Sequence, residues 1–173
     1  MRWSPEPDDT RAVVLVEGAS DQRALEVLAR RHGVSLADIE VVSMAGITNV
    51  PAHLLLAGSR RVALLYDMAE SAYVDPKLSA HPAVDGFGCT DDLEHELLRA
   101  LTLEAVEGVI AGEGELASLR LLQRQPAQRD RSSMQHLRRF ISSHSGRKLR
   151  YAELLSDAVD LASTPTPLLG LLR

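Results

Sequence analysis

Ala12-Val13-Val14-Leu15-Val16-Glu17-Gly18-Ala19-Ser20-Asp21 is the stretch that decides the fold. Its apolar, largely β-branched run reads as a strand buried on both faces, as inside a parallel sheet. The run stops at Glu17-Gly18, and a helix is expected next, with Ser20 as its N-cap and Ala24, Leu25, Leu28 and Ala29 along its apolar face. Arg30-Arg31-His32-Gly33 brings cations and a glycine to end it. The unit then recurs. Val41-Val42-Ser43-Met44 forms a second strand, Thr48-Asn49 opens a helix through Leu54, Leu55, Leu56 and Ala57, and a third strand, Val62-Ala63-Leu64-Leu65-Tyr66, ends in Asp67. Strands alternating with helices predict an α/β fold, an open parallel sheet flanked by helices whose functional edge lies at the strand C-termini.

Residues 71–88 contain Pro76, Pro82, Gly86 and Gly88, which predicts a long loop, with Phe87-Gly88-Cys89 as the candidate for a short fourth strand. From Asp91 onward the pattern is helical, near 92–102, 103–111, 115–124, 133–143 and 148–162, and a proline-containing tail follows. The expected organisation is a flexible N-terminal segment (1–11), an α/β domain (12–112) and a basic C-terminal helical extension (113–173) packing on it.

Composition bounds the rest. A chain of 173 residues, 45% apolar, has room for one ordinary domain with a real core, and with aromatics at 3% that core must be Leu, Val and Ala. No apolar run approaches the roughly 20 residues that span a bilayer, and residues 1–10 are acidic and proline-bearing, unlike a signal peptide. A cytoplasmic protein with no membrane partner is expected. The single cysteine, Cys89, excludes an internal disulfide and a zinc site built from several thiolates. The net charge of -5 hides a segregation: residues 1–115 hold 9 Lys+Arg against 20 Asp+Glu, and residues 116–173 hold 10 against 4. That suits an acidic cation-binding region joined to a basic anion-binding one, or else a tail of solvated arginines.

The acids have a pattern. Glu17 follows the first strand, Asp21 falls in the first turn of the next helix, Asp67 ends the third strand, and Glu70 comes three residues later. A parallel sheet brings these to one edge, where such a set repels itself unless hard cations neutralise it, so magnesium or manganese is the natural cofactor. Taken singly, Asp21 also suits a helix N-terminus and Glu70 an ordinary loop. In Asp91-Asp92-Leu93-Glu94-His95-Glu96-Leu97, helical phase places Glu94 among Leu93, Leu97, Leu98 and Leu101, Glu96 at the edge of that face, and His95 in solvent. An inward Glu94 calls for a metal, or for a capping box with Asp91 as N-cap.

In the basic half, Gly146-Arg147-Lys148-Leu149-Arg150 opens the last long helix, and Lys148 lies in register with its apolar stripe at Tyr151 and Leu155. A lysine there opposes the helix dipole and calls for an anionic partner such as phosphate. Arg124, Arg129, Arg131, Arg138, Arg139, Arg147 and Arg150 either contact a nucleic-acid backbone or are solvated.

Three segments, residues 14–21, Met44-Ala45-Gly46-Ile47-Thr48-Asn49 and Leu65-Tyr66-Asp67-Met68-Ala69-Glu70, together resemble the Toprim domain of the overcoming-lysogenization-defect (OLD) family nucleases. Asp92-Leu93-Glu94-His95-Glu96-Leu97 is similar to the later acidic motif of that family, and Arg147-Lys148 to its C-terminal lysine element. The resemblance covers residues 12–160 or so. It implies a Rossmann-like Toprim sheet that holds two divalent ions, Mg2+ or Mn2+, and hydrolyses phosphodiester bonds of DNA. Glu17 and Asp21 would bind one ion, Asp67 and Glu70 would help hold the pair, Asp92 and Glu94 would complete the second, and Lys148, flanked by Arg147 and Arg150, would neutralise the scissile phosphate. In such two-metal chemistry one ion activates water and the other stabilises the leaving oxygen.

The chain departs from the family in two places. Toprim domains commonly carry Asp-x-Asp after the third strand, whereas Asp67-Met68-Ala69-Glu70 displaces the second acid by a residue. No Gly-rich phosphate loop of an ATPase domain is present either, so a stand-alone form is expected, with a separate ATPase protein and a second copy of the chain as candidate partners. The alternatives are a noncatalytic Toprim-like module that binds nucleic acid or an ATPase, and another phosphotransfer enzyme on a doubly wound sheet.

Overall fold

The computed structural model describes residues 12–144 and 146–173; the segment expected to be flexible, 1–11, lies outside the described residues. Four strands, β1 (Ala12–Val16), β2 (Ile39–Ser43), β3 (Val62–Asp67) and β4 (Val84–Cys89), form one parallel sheet in the order β2-β1-β3-β4. The chain leaves β1 for β2 on one side and later returns to place β3 on the other. The crevice of such a reversal opens beyond the C-terminal ends of β1 and β3, where Glu17 and Asp67 stand.

Period-two alternation sends the two central strands' side chains to opposite faces. Val13, Leu15, Val62 and Leu64 pack with Met44, Val50, Leu54 and Val74 on one face, under α2 (Val50–Ala57) and α3 (Ser71–Ala80). Val14, Val16, Ala63 and Leu65 face a larger core built from α1 (Ala19–Arg31), α4 (Leu93–Arg99), α5 (Leu103–Gly112), α6 (Leu116–Gln123), α7 (Ser133–Ile141), α8 (Arg147–Ala158) and α9 (Thr166–Leu171). The fold is α/β, as the strand and helix alternation predicts. No described helix is long and apolar enough to cross a membrane.

α8 is clamped to α1. Arg23 on α1 donates two parallel hydrogen bonds to Glu153 on α8, at 3.0 and 2.8 Å, and Arg31 caps the end of α8 through the carbonyls of Ser156 and Val159. These contacts hold α8, which carries Lys148 in its first turn, against α1.

Several expectations change. Residues 71–88 are not a long loop but α3 followed by the complete strand β4. Pro76 lies inside α3, which is held by the buried Val74 and by Lys77, whose ammonium sits 3.2 Å from the centre of the Tyr73 ring. The glycines of β4 mark close approach rather than turns: a Cβ on Gly86 would stand 2.5 Å from Leu78 Cδ1, and one on Gly88 2.4 Å from Met68 Sδ. Ser20 is not the cap of α1; the helix begins at Ala19, with Gly18 in the cap position. The proline-containing tail becomes α9, with Pro167 in its first turn, where a missing N–H is harmless. Gly170 lets α9 lie flat on the Phe87 ring, since a Cβ there would come within 2.6 Å of it.

Candidate active site

Four of the five acids in the cleft owe their positions to the ends of regular elements. Glu17 is the first residue after β1, half-buried, with its backbone carbonyl accepting from Gly46 N–H at 3.0 Å. Asp21 sits in the first turn of α1, 9% exposed, and its Oδ2 accepts from the Gly18 N–H at 2.8 Å. Asp21 thus accepts the N-cap backbone N–H of α1 and also lines the cleft. Asp67 closes β3, and Asp92 is the N-cap of α4, with Oδ1 accepting from His95 N–H at 2.7 Å.

Glu94 is placed by helical phase. It lies between Leu93 and Leu97 on the inward side of α4, only 4% exposed, with Oε2 3.3 Å from Lys148 Nζ. Its other oxygen, Oε1, is buried and has no hydrogen-bond partner. With Ala45, Gly46 and Lys148, these five carboxylates line one cavity of about 260 Å³ at the end of the sheet. The far wall is a strained turn: Ala45 adopts φ 55°, unusual for a residue with a side chain, and Asn49 Nδ2 holds it by donating to Met44 O at 2.8 Å.

The electrostatics follow from that crowding. Burial, then the charges of Glu17, Asp21, Asp92 and Glu94, push Asp67 up to about 7. Burial also raises Asp21 against the pull of its Gly18 hydrogen bond, and raises Glu94 against the pull of Lys148. Glu17 rises through burial and the neighbouring Asp21. Lys148 moves the other way in effect: burial opposes its charge, but Glu94 and Asp21 outweigh it and the ammonium is held more firmly protonated.

Hard oxygen donors, mutual repulsion and one orphaned carboxylate oxygen fit a hard divalent cation. Among the described residues, no three such donors already stand close enough together to grip an ion. They ring the cavity instead.

Not every expected residue joins them. Glu70 lies in the 3-10 turn Met68–Glu70, outside the cavity wall, and reaches the site only through its repulsion of Glu17. Arg147 is turned inward, 12% exposed, stacked 4.1 Å over the Phe140 ring and 2.8 Å from Glu115 Oε1, so its donors are committed to packing. Arg150 pairs with Glu113. Asp91 is not a cap; it pairs with His95, which is therefore not solvated, and Glu94 falls one position too early for a capping box. Glu96 is buried, held below the usual carboxylate range by the Thr90 N–H and Arg99 despite its burial, and plays no part in the cleft.

One contact of consequence has no signature in the sequence: Arg138 on α7 pairs with Asp92 Oδ2. The two residues are far apart in the chain, so no local spacing reveals it.

The raised acids make stability depend on pH. A group whose pKa is raised by folding binds protons better folded than unfolded, so its stabilising contribution is present below the unfolded pKa and lost as pH rises through the folded one. For Asp67 that window runs from 3.8 to about 7. The melting temperature of chelator-treated protein should fall as pH rises from about 5 to about 8, and Mn2+ should raise it more at the upper end. A melting temperature flat across that range, with Mn2+ equally effective at both ends, would contradict the arrangement.

Comparison with known proteins bears on the fold. Residues 10–68, which carry Glu17, Asp21 and Asp67, match the family model described as overcoming lysogenization defect protein-like, TOPRIM domain. No curated protein sequence matches significantly. Among solved structures, the C-terminal region of the Burkholderia pseudomallei OLD protein superposes with a TM-score of 0.65 at 18% identity, over 95% of this chain and 96% of that one. The C-terminal region of the Xanthomonas campestris pv. campestris OLD protein gives 0.62 at 23% identity, over 95% and 93%. At such identities the likeness is one of fold, and it extends through α4 and α8, beyond the part that the family model matches. Residues 10–68 match an OLD-like Toprim model, in a chain whose fold is that of OLD C-terminal regions.

Proposed function

We propose that the cleft holds divalent cations, Mg2+ or Mn2+, and hydrolyses phosphodiester bonds of DNA. The observation that carries this reading is the convergence of Glu17, Asp21, Asp67, Asp92 and Glu94 with Lys148 around a single cavity at the sheet's switch point. An OLD-like Toprim match over residues 10–68 supports it, since that family is associated with metal-dependent nucleases.

Glu17, Asp21 and Asp67 would hold one ion, and Asp92 with Glu94 a second. Bound there, the ions would supply Lewis acidity to a water and to the leaving oxygen. The remaining work falls to the chain. Lys148, on the cavity wall beside Glu94, meets a non-bridging oxygen of the scissile phosphate and holds the charge that gathers there as the water oxygen bonds to phosphorus and the P–O ester bond breaks. The Gly18 N–H fixes Asp21 and the His95 N–H fixes Asp92 Oδ1, which holds both carboxylates at the cavity wall.

A second reading has an observation of its own. Asp92 is tied to Arg138 and Glu70 stands outside the wall, which suits a module that binds nucleic acid or an ATPase partner without cutting. Supercoiled plasmid separates the two. The nuclease should nick or linearise it with Mg2+ or Mn2+ and stop on addition of chelator; an inert protein at all metal concentrations would leave only the module.

A further inference from the structure

Beside the acidic cleft lies a second cavity of about 340 Å³, and the two share a wall: Asp92 and Glu94 line both. Its other side is basic. Arg131 precedes α7, Gln135, Arg138 and Arg139 lie on it, and Ser142 is its C-cap, so this segment lines the cavity with three guanidinium groups, an amide and a hydroxyl. The guanidinium groups of Arg131 and Arg139 have no hydrogen-bond or ion-pair partner among the described residues, and both residues are exposed. Gln135 Oε1 accepts from Ser132 N–H at 2.9 Å, which leaves its amide nitrogen available as a donor. Arg138 alone is engaged, and its partner is the cleft acid Asp92.

Resting on the nucleic-acid reading above, we propose that this cavity is a phosphate subsite for the strand that passes through the acidic cleft, and that Arg138 leaves Asp92 for that phosphate when Asp92 takes a cation. Guanidinium forks match phosphate oxygens in pairs, and two of the three are already uncommitted. The exchange follows from charge. Without a cation, Arg138 is the counter-ion of Asp92. A divalent cation on Asp92 repels the guanidinium, which is released beside Arg131 and Arg139, and three like charges in one cavity then favour an anion. Cation and nucleic acid thus assist each other's binding, and by linkage the assistance is mutual.

This arrangement makes Arg138 and its neighbours separable. R138Q removes the competitor for Asp92, so Mn2+ should bind several-fold more tightly by calorimetric titration, while a fluorescein-labelled DNA should bind more weakly in Ca2+. The double variant R131Q/R139Q should leave Mn2+ affinity unchanged, weaken the same DNA about tenfold, and reduce the slope of log K against log salt by about 2 on duplex, or somewhat less on single strand. R139Q alone, at an exposed site that folding does not need, should give roughly half of that slope change. Solvated arginines predict instead that R131Q/R139Q binds DNA like wild type with the same slope, and that R138Q leaves Mn2+ affinity unchanged or weaker; either result overturns the subsite. If wild type cuts DNA and only these variants fail to differ, the subsite alone is lost. If wild type neither cuts nor binds DNA, the nuclease reading falls and the subsite with it.

Discussion

Glu17→Gln should lower metal-dependent cleavage by about a thousandfold or more, roughly 4 kcal/mol of barrier, and leave the protein folded. Glu17 is the one acid set at the mouth of the switch point by β1 itself, and the swap keeps its shape while removing the charge that a cation needs. Its backbone carbonyl still accepts from Gly46, so the loop carrying Ala45 stays in place. The same substitution should raise the melting temperature in chelator, because Glu17 is the largest electrostatic contributor to the raised pKa of Asp67 after burial. A purely structural residue would not both abolish turnover and stabilise the metal-free protein. Single-turnover cleavage and thermal melting on one preparation test the pair of effects; retained cleavage by purified Glu17→Gln would place the chemistry elsewhere.

Lys148→Ala should reduce turnover about a hundredfold while changing DNA affinity only slightly. One phosphate contact among several adds modestly to binding, but this one acts where charge develops. Lys148 suits that role because it lines the cleft with its side chain 52% exposed, yet Glu94 and Asp21 keep it charged. Lys148→Arg should not restore the rate, since a planar fork replaces a compact ammonium 3.3 Å from Glu94. The rival possibility makes Lys148 an anchor that joins α8 to Glu94. It predicts a lower melting temperature with an unchanged rate per folded molecule, and that result would reduce Lys148 to a structural residue.

What can be read from the sequence is what has a local signal. β1 and β3 declare themselves because a buried parallel strand must be apolar along its length, and the acid at the C-terminal end of each, Glu17 just after β1 and Asp67 closing β3, then falls at one edge of the sheet. Glu94 is legible for a similar reason: helical phase among Leu93, Leu97 and Leu98 leaves it no outward direction. Lys148 stands out because a cation at a helix start opposes the dipole.

What stays hidden is set by tertiary contact. β4 reads mostly as loop because Gly86 and Gly88 look like turn residues, yet they serve Leu78 and Met68, which lie across them. Pro76 suggests a break, but α3 is supported by what it buries rather than by its own propensity. Arg147, beside Lys148 in the chain, reads as its companion; one step around α8 turns it to Phe140 and Glu115 instead. The Arg138–Asp92 pair joins α7 to the start of α4, and no periodicity in either segment records it.

Whether the five carboxylates form a cation site or merely an acidic surface is tested most directly by anomalous scattering from a crystal grown or soaked with Mn2+. A cation site predicts manganese peaks inside the cleft at about 2.1–2.3 Å from carboxylate oxygens, one among Glu17, Asp21 and Asp67 and one at Asp92 and Glu94. Manganese absent from the cleft of a crystal whose dissolved protein cleaves DNA in the same metal would contradict it.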